Sequence, residues 1–246
     1  MVDLLSAEGL SAWFRFEEGM RSDIVPFQLA FGCMPFEYFG GHDEAGARFL
    51  SAISASRGRQ TLVDGLAAIP ELVRSRLIVD VGGGDGQTLI EALIAAPEAA
   101  GQICDLGYVR PRAEQRIAEL GVSGRATFVE CDFFQKIPAG GDMYLLSRIL
   151  HDWNDQRARL ILGNCRQAMS GKGHLLIFEK LLPLSFECEH LEVAMNDLNV
   201  FVMCGGKERT LNDFKTVLAW EGFEVVSVHQ LMGDFCAILA VLSVSW

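Results

Sequence analysis

Clustered positive charge is what this chain most conspicuously lacks. Its 21 Lys and Arg stand against 32 Asp and Glu, giving a net charge of −11 at pH 7, and no basic run offsets that balance locally. A protein that follows nucleic-acid phosphates needs a basic face, so nucleic acid is not the expected partner. Acidity of this kind serves solubility. No apolar run approaches membrane-spanning length, which leaves no membrane partner. The opening MVDLLSAEGL has no basic segment followed by an apolar core, so no secretory signal is read there and the expected location is cytoplasmic. A Cys-x-x-Cys pair is missing too. The seven cysteines, Cys33, Cys104, Cys131, Cys165, Cys188, Cys204 and Cys236, are odd in number and scattered through apolar contexts. Buried free thiols in a reducing compartment are the expectation, ahead of disulfides or zinc.

What the chain does have is core material. Half of its 246 residues are hydrophobic, enough for one large α/β domain or a domain with a helical annex. Residues 1 to 70 read as a helical linker or lid. AEGLSAWFRFEEGM and HDEAGARFLSAISASRGRQTLVDGLAAI carry apolar residues near helical spacing, with DIVPFQLAFG and Gly40–Gly41 as breaks. From Arg76 onward, across the 71–246 domain, strands alternate with helices. RLIVDVG, GQICDL, RATFVECDFF, DMYLLSRIL, GHLLIFEKLL, FEVVSVHQL and FCAILAVLSV read as seven strands. QTLIEALIAA, RPRAEQRIAEL, NDQRARLILGNCRQAM and LNDFKTVLAWEG read as helices, stopped in turn by glycines such as Gly121 and Gly222. The alternation predicts an α/β fold with a doubly wound, mainly parallel, Rossmann-like sheet. Ligands of such sheets lie at the carboxyl ends of the strands.

The glycine turn VDVGGGDGQ follows the first strand and precedes a helix, a place where backbone N–H groups can hold a nucleotide-like ligand. The dinucleotide frame G-x-G-x-x-G fails at Gln87. The frame Asp80-x-Gly82-x-Gly84-x-Gly86 is complete, and it resembles the pattern of class I S-adenosylmethionine (SAM)-dependent methyltransferases. Asp105, ending the second strand, can accept both ribose hydroxyls. Asp132, ending the third, suits an adenine amino group, with Phe133 placed to pack on the ring; a capping carboxylate is the plain alternative.

His151, in LLSRILHDWND, falls just past the fourth strand. A neutral imidazole can take a proton near pH 7, and methyl transfer to a hydroxyl needs such a base because a phenol is a poor nucleophile. Glu179, Glu208 and Asp152 are carboxylates that could orient it.

VDVGGGDG, ILHDWND, LLIFEKLLP and GGKERTLNDF are together similar, in order and spacing, to the caffeate/hydroxyindole-type O-methyltransferases of plants and bacteria. The resemblance implies SAM as the methyl donor, S-adenosylhomocysteine as its product and no metal. It implies that Gly82, Gly84, Gly86, Asp105, Asp132 and Phe133 contact SAM, and that His151 is the general base flanked by Glu179 and Glu208. LEVAMNDLNVFVM corresponds to the family's acceptor helix, so Met195, Asn196 and Val200, with Asp152, become expected contacts of a small aromatic acceptor. A core stripe is the other reading of that helix.

Two departures stand out. Members of the family begin with a winged-helix-like domain that makes the homodimer, whereas this chain starts at the linking helices, either trimmed or without that domain by nature. Trp13, Phe14 and Phe16 are then candidates for an exposed face left by that interface. Ser147 stands where many relatives carry a lysine near the cofactor; it can hydrogen-bond the ligand but brings no charge. The competing functions are a SAM-binding relative performing decarboxylation, hydroxylation or rearrangement, a SAM-binding domain inactive without a partner, and an NAD-dependent oxidoreductase.

Overall fold

The computed structural model describes residues 7–56, 62–169, 171–185, 191–231 and 235–243. In chain order, α1 (Ala7–Trp13), α2 (Phe16–Ser22), α3 (Pro26–Phe31), α4 (Pro35–Gly40), α5 (Asp43–Ser56), α6 (Val63–Ala67) and α7 (Pro70–Val73) precede the first strand. There follow β1 (Leu77–Val81), α8 (Gln87–Ala95), β2 (Ala100–Asp105), α9 (Arg110–Glu119), β3 (Ala126–Glu130), β4 (Met143–Ser147), α10 (Asp155–Ala168) and β5 (His174–Lys180). The chain closes with α11 (Leu191–Cys204), α12 (Leu211–Trp220), β6 (Phe223–Gln230) and β7 (Phe235–Leu242). None of the described helices is long and apolar enough to cross a membrane.

The chain divides into two compact units. A helical unit is drawn from Met1–Arg59, Leu150–Asn154 and Leu181–Thr210, and a sheet unit from Gln60–Ile149, Asp155–Lys180 and Leu211–Trp246.

In the helical unit, prolines at the first helical position start α3 and α4, where the missing N–H costs nothing. The stretch AEGLSAWFRFEEGM forms two helices, the chain turning at Phe14 and Arg15. Ala12, Phe27, Phe39 and Ala45 share a core with Val202, Met203 and Cys204 of α11. Phe39 stacks on Phe49 with centroids 4.2 Å apart. Trp13 stacks on Phe16 at 5.6 Å and its indole N–H donates to Asn199 Oδ1 at 3.1 Å. Phe16 meets Phe201 edge-on. Only Phe14 of the three expected surface aromatics is fully outside, at 87% exposed. The turn after α1 sends its ring outward, while Trp13 and Phe16 face α11.

The sheet unit carries seven strands in the order β3-β2-β1-β4-β5-β7-β6. β1 to β5 are mutually parallel, and β7 runs antiparallel to both β5 and β6. β1 and β4 are almost wholly buried, as strands covered on both faces must be. β6, at the edge, alternates buried and exposed residues. After β3 the chain returns to place β4 beside β1, so the strand order reverses between β1 and β4, the place where ligands of such sheets bind. Loose backbone groups are tied by side chains: the Asp142 carboxylate accepts the N–H of Arg76 and Leu77 at the start of β1. Arg125 Nη1 donates to the carbonyls of Leu93, Ala96 and Ala99, closing the end of α8.

The cysteine expectation needs correcting. Cys104 and Cys131 form a disulfide. β2 and β3 are adjacent, and the Cys131 N–H donates to the Asp105 carbonyl at 2.9 Å, which brings the two strand ends side by side. Cys33 and Cys165 are free thiols, Cys204 and Cys236 are buried, and Cys188 lies outside the described residues.

Candidate active site

At the end of β1 the backbone passes through three left-handed glycines, Gly82 (φ 69°), Gly84 (φ 57°) and Gly86 (φ 82°), one at each position of the quoted pattern. Gly82 has a second reason to be glycine: a Cβ there would sit 2.5 Å from Ile149 Cδ1 and 3.2 Å from Phe133 Cε1. Phe133 is thereby placed against the turn. At Gly84 a Cβ would meet nothing within 4 Å, so the backbone there is open to a ligand. Beneath the turn is the fully buried Asp80, whose carboxylate would lie 2.7 Å from a Cβ at Gly83. Gly86 caps the start of α8, so N–H groups of the turn and of the first helical residues lie in one short stretch.

Asp105 is fixed at this turn. Its Oδ2 accepts the Gly84 N–H and its Oδ1 the Leu106 N–H, both at 2.7 Å. Burial pushes its carboxyl up to about 6, with those two N–H groups acting in the opposite direction. Asp132 uses both oxygens locally, accepting from the Phe134 N–H and from Gln135 Nε2 at 2.9 Å each, the bonding of a turn cap. The hydroxyls of Ser147 and Thr88 hydrogen-bond at 3.1 Å, joining the end of β4 to the first turn of α8. Glu179, fully buried on β5, pairs in register with Cys236 of β7. Glu179 belongs to the sheet unit.

His151 belongs to the helical unit, on a 3-10 turn spanning Leu150–Asp152. It is buried, and its Nδ1 lies 2.9 Å from Glu208 Oε1. A carboxylate only accepts, so Nδ1 carries the hydrogen, and in the neutral ring Nε2 has the lone pair. Asp152 Oδ1 is 3.5 Å from Nε2. Asn196 Nδ2 donates to the same Glu208 oxygen, while the Glu208 N–H donates to Asp197 Oδ1 at 2.7 Å. Burial raises the Asp197 carboxyl above its usual range; the Glu208 N–H opposes this, the Glu208 charge adds to it and Lys207 opposes it. Of the expected acceptor contacts on α11, Met195 is 39% exposed and Val200 is buried; the amide of Asn196 reaches Glu208.

Sequence reasoning passed over four residues here. Gly206 and Arg209 lie inside the quoted GGKERT and went unassigned; Asp197 and Thr88 gave no signal, since an acid or threonine on a helix is unremarkable.

A glycine-lined turn at the switch point of a Rossmann-like sheet, an acid on the neighbouring strand end and a carboxylate-held histidine are features shared with group-transfer enzymes that bind an adenosyl ligand. Residues 8–224 match the model of the O-methyltransferase domain family, and the chain belongs to that family. It is 37% identical over 223 residues to a phenazine O-methyltransferase of Lysobacter antibioticus, covering 90% of this chain and 64% of that one. It is 34% identical to the phenazine-1-carboxylate N-methyltransferase of Pseudomonas aeruginosa, covering 98% and 70%. An O-methyltransferase from neocarzinostatin biosynthesis, solved in complex with SAM and 2-hydroxy-5-methyl naphthoic acid, superposes with a TM-score of 0.82. That likeness has 25% identity and covers 97% of this chain and 74% of that one. The chain thus spans a little under two thirds of the first of these relatives and somewhat more of the others.

Proposed function

We propose that this protein transfers a methyl group from SAM to a hydroxyl of a small aromatic acceptor, with His151 as general base. The observation that carries the reading is the 2.9 Å contact between His151 Nδ1 and Glu208 Oε1. It favours the tautomer in which Nε2 of the neutral ring can take a proton, and the Glu208 carboxylate would steady the imidazolium that results.

The turn of Gly82, Gly84 and Gly86 and the Asp105 carboxylate fit an adenosyl ligand: the three glycine N–H groups are spent on holding the turn, Gly84 leaves room for close approach, and Asp105 offers an acceptor for ribose hydroxyls. Phe133 adds an aromatic surface against the turn, and Ser147 a hydroxyl. Asp132 retains lone pairs for an amino group beside its capping bonds. When bound, SAM supplies an electrophilic methyl on a sulfonium. The chain's own part is to deprotonate the acceptor at His151 Nε2, to hold oxygen and methyl in line, and to keep water out. Met195, Val200 and Asp152 are the acceptor contacts of this reading. Asn196 acts through Glu208. No step needs a metal. A homodimer belongs to the same reading, for which the exposed Phe14 and Met20 offer apolar surface.

A nitrogen acceptor is the second reading, favoured by the P. aeruginosa relative's name. A nitrogen with a free lone pair needs no base, so the two differ in how they depend on His151.

The test is transfer from labelled SAM to a panel of phenols and aromatic nitrogen heterocycles, wild type beside His151→Ala. At least one phenol should be methylated, with a loss of about 10²–10⁴-fold in the variant. Undiminished phenol methylation in His151→Ala would refute the base. Transfer confined to nitrogen acceptors would favour the second reading.

A further inference from the structure

We infer that Arg209 is the positioning residue of the candidate base, an inference that rests on the His151 reading above. Arg209 is 1% exposed, the largest of the fully buried side chains. Its Nη1 donates to the carbonyl of Leu150 at 2.6 Å and its Nη2 to the carbonyl of Trp153 at 2.8 Å. Those two residues bracket His151 and Asp152, so one guanidinium spans the turn from which the imidazole projects.

The neighbours of Arg209 work on the same turn. The Lys207 N–H donates to the His151 carbonyl at 2.8 Å, and Glu208 takes the imidazole Nδ1. Three consecutive residues therefore fix, respectively, the backbone of His151, its ring and the ends of its turn. This segment is itself anchored: Leu181 bridges to Arg209 in parallel fashion, and the Leu182 N–H donates to the Arg209 carbonyl at 2.9 Å. Gly206 lets the two strands of chain approach, because a Cβ there would lie 2.0 Å from the His151 carbonyl oxygen.

The chemistry calls for arginine in particular. The Leu150 carbonyl also accepts the Trp153 N–H, at 3.3 Å, so the guanidinium adds a second donor at the start of the turn and a donor at Trp153 just past its end. Two carbonyls facing different nitrogens need a planar fork with two donors in fixed directions; an ammonium offers a single point and turns freely about its bond. Displacing the base by about 1 Å costs on the order of 10²-fold in rate. Arg209 touches neither acceptor nor cofactor in this scheme. It acts through the place it gives His151.

Arg209→Lys keeps the charge and most of the stem but loses the fork. The expected result is a 10- to 100-fold fall in kcat, with KM for both substrates and calorimetric affinity for S-adenosylhomocysteine within threefold of wild type. The His151→Ala variant separates the possibilities. If Arg209 acts through the base, adding Arg209→Lys to His151→Ala should lower kcat by less than twofold further. In protein with 15N-labelled histidine, Arg209→Lys should also shift the His151 ring signals away from the Nδ1–H pattern, a readout that does not depend on turnover. Unchanged ring signals with wild-type kcat would overturn the inference, as would a full additive loss in the double variant. Wild-type activity in His151→Ala would overturn the base reading instead, and the ring signals would then still report whether Arg209 holds the turn.

Discussion

Gly206→Ala adds a single methyl group at the point where two stretches of backbone come closest. The new Cβ would lie 2.0 Å from the His151 carbonyl oxygen, 2.5 Å from the Asp152 carbonyl carbon and 2.8 Å from its oxygen. All three are backbone atoms, so no rotamer change relieves the clash. Reaching a 3.0 Å separation requires at least 1.0 Å of movement (3.0 − 2.0). The bond from the Lys207 N–H to the His151 carbonyl, 2.8 Å long, would open to about 3.8 Å and cease to be a hydrogen bond. Overpacking costs about 1–3 kcal/mol and the lost bond about 1 kcal/mol more, so a destabilisation of roughly 2–4 kcal/mol is expected in denaturant titration. Because the moved atom belongs to the base residue itself, kcat for methyl transfer should fall on the order of 10²-fold while cofactor affinity holds. Gly84→Ala is the control. It meets no atom within 4 Å but carries φ +57°, so it should cost about 1–2 kcal/mol in backbone strain and act on cofactor affinity rather than on kcat. A Gly206→Ala protein with kcat within threefold of wild type and a Lys207 amide as protected from hydrogen exchange would refute the reasoning.

Two further outcomes are expected. Asp105, with its carboxyl raised from 3.8 to about 6, binds a proton more readily folded than unfolded. Its contribution to the stability of the ligand-free protein is therefore present below pH 3.8 and lost as the pH rises through about 6. The ionised form is the better acceptor of ribose hydroxyls, so calorimetry from pH 5 to 8 should show affinity for S-adenosylhomocysteine falling up to about tenfold per unit below pH 6; a flat profile, or the same slope in Asp105→Asn, would count against it. The Cys104–Cys131 bridge spans 27 residues, so replacing both cysteines by serine should lower the unfolding free energy by about 2–4 kcal/mol. Identical denaturation curves for the serine variant and the oxidised wild type would show that the bridge adds nothing.

The elements of the sheet unit were legible because each announced itself locally: an apolar run, then a turn residue, then a helical stripe. Gly121 and Gly222 both sit beyond helix ends with positive φ, as their positions imply, and the three glycines of the nucleotide-type pattern all adopt the conformation that only glycine takes readily. Features that depend on which segments meet were not legible. Cys104 and Cys131 look like two stray apolar-context thiols until β2 and β3 are known to be neighbours. Trp13 and Phe16 read as surface until α11 is placed beside them. Asn196 reads as an acceptor contact because its helix does, yet its amide reaches across to Glu208. His151 and Glu208 could be paired only by likeness to a family; their 57-residue separation carries no local signal.

The helical unit is stitched from Met1–Arg59, Leu150–Asn154 and Leu181–Thr210, which sets an order in time. On a ribosome adding roughly 5–20 residues per second, the aromatic helices emerge first, but the α11 residues of their core, Val202 to Cys204, arrive more than 140 residues after Arg59 (202 − 59 = 143). During that interval Phe27 and Phe39 have only part of their packing, so this part of the nascent chain is sticky. The five-residue stretch carrying His151 waits as well, since Lys207, Glu208 and Arg209 are made after it. The candidate base is therefore not held in place until Lys207 to Arg209 have been made, more than 50 residues after His151 itself (207 − 151 = 56).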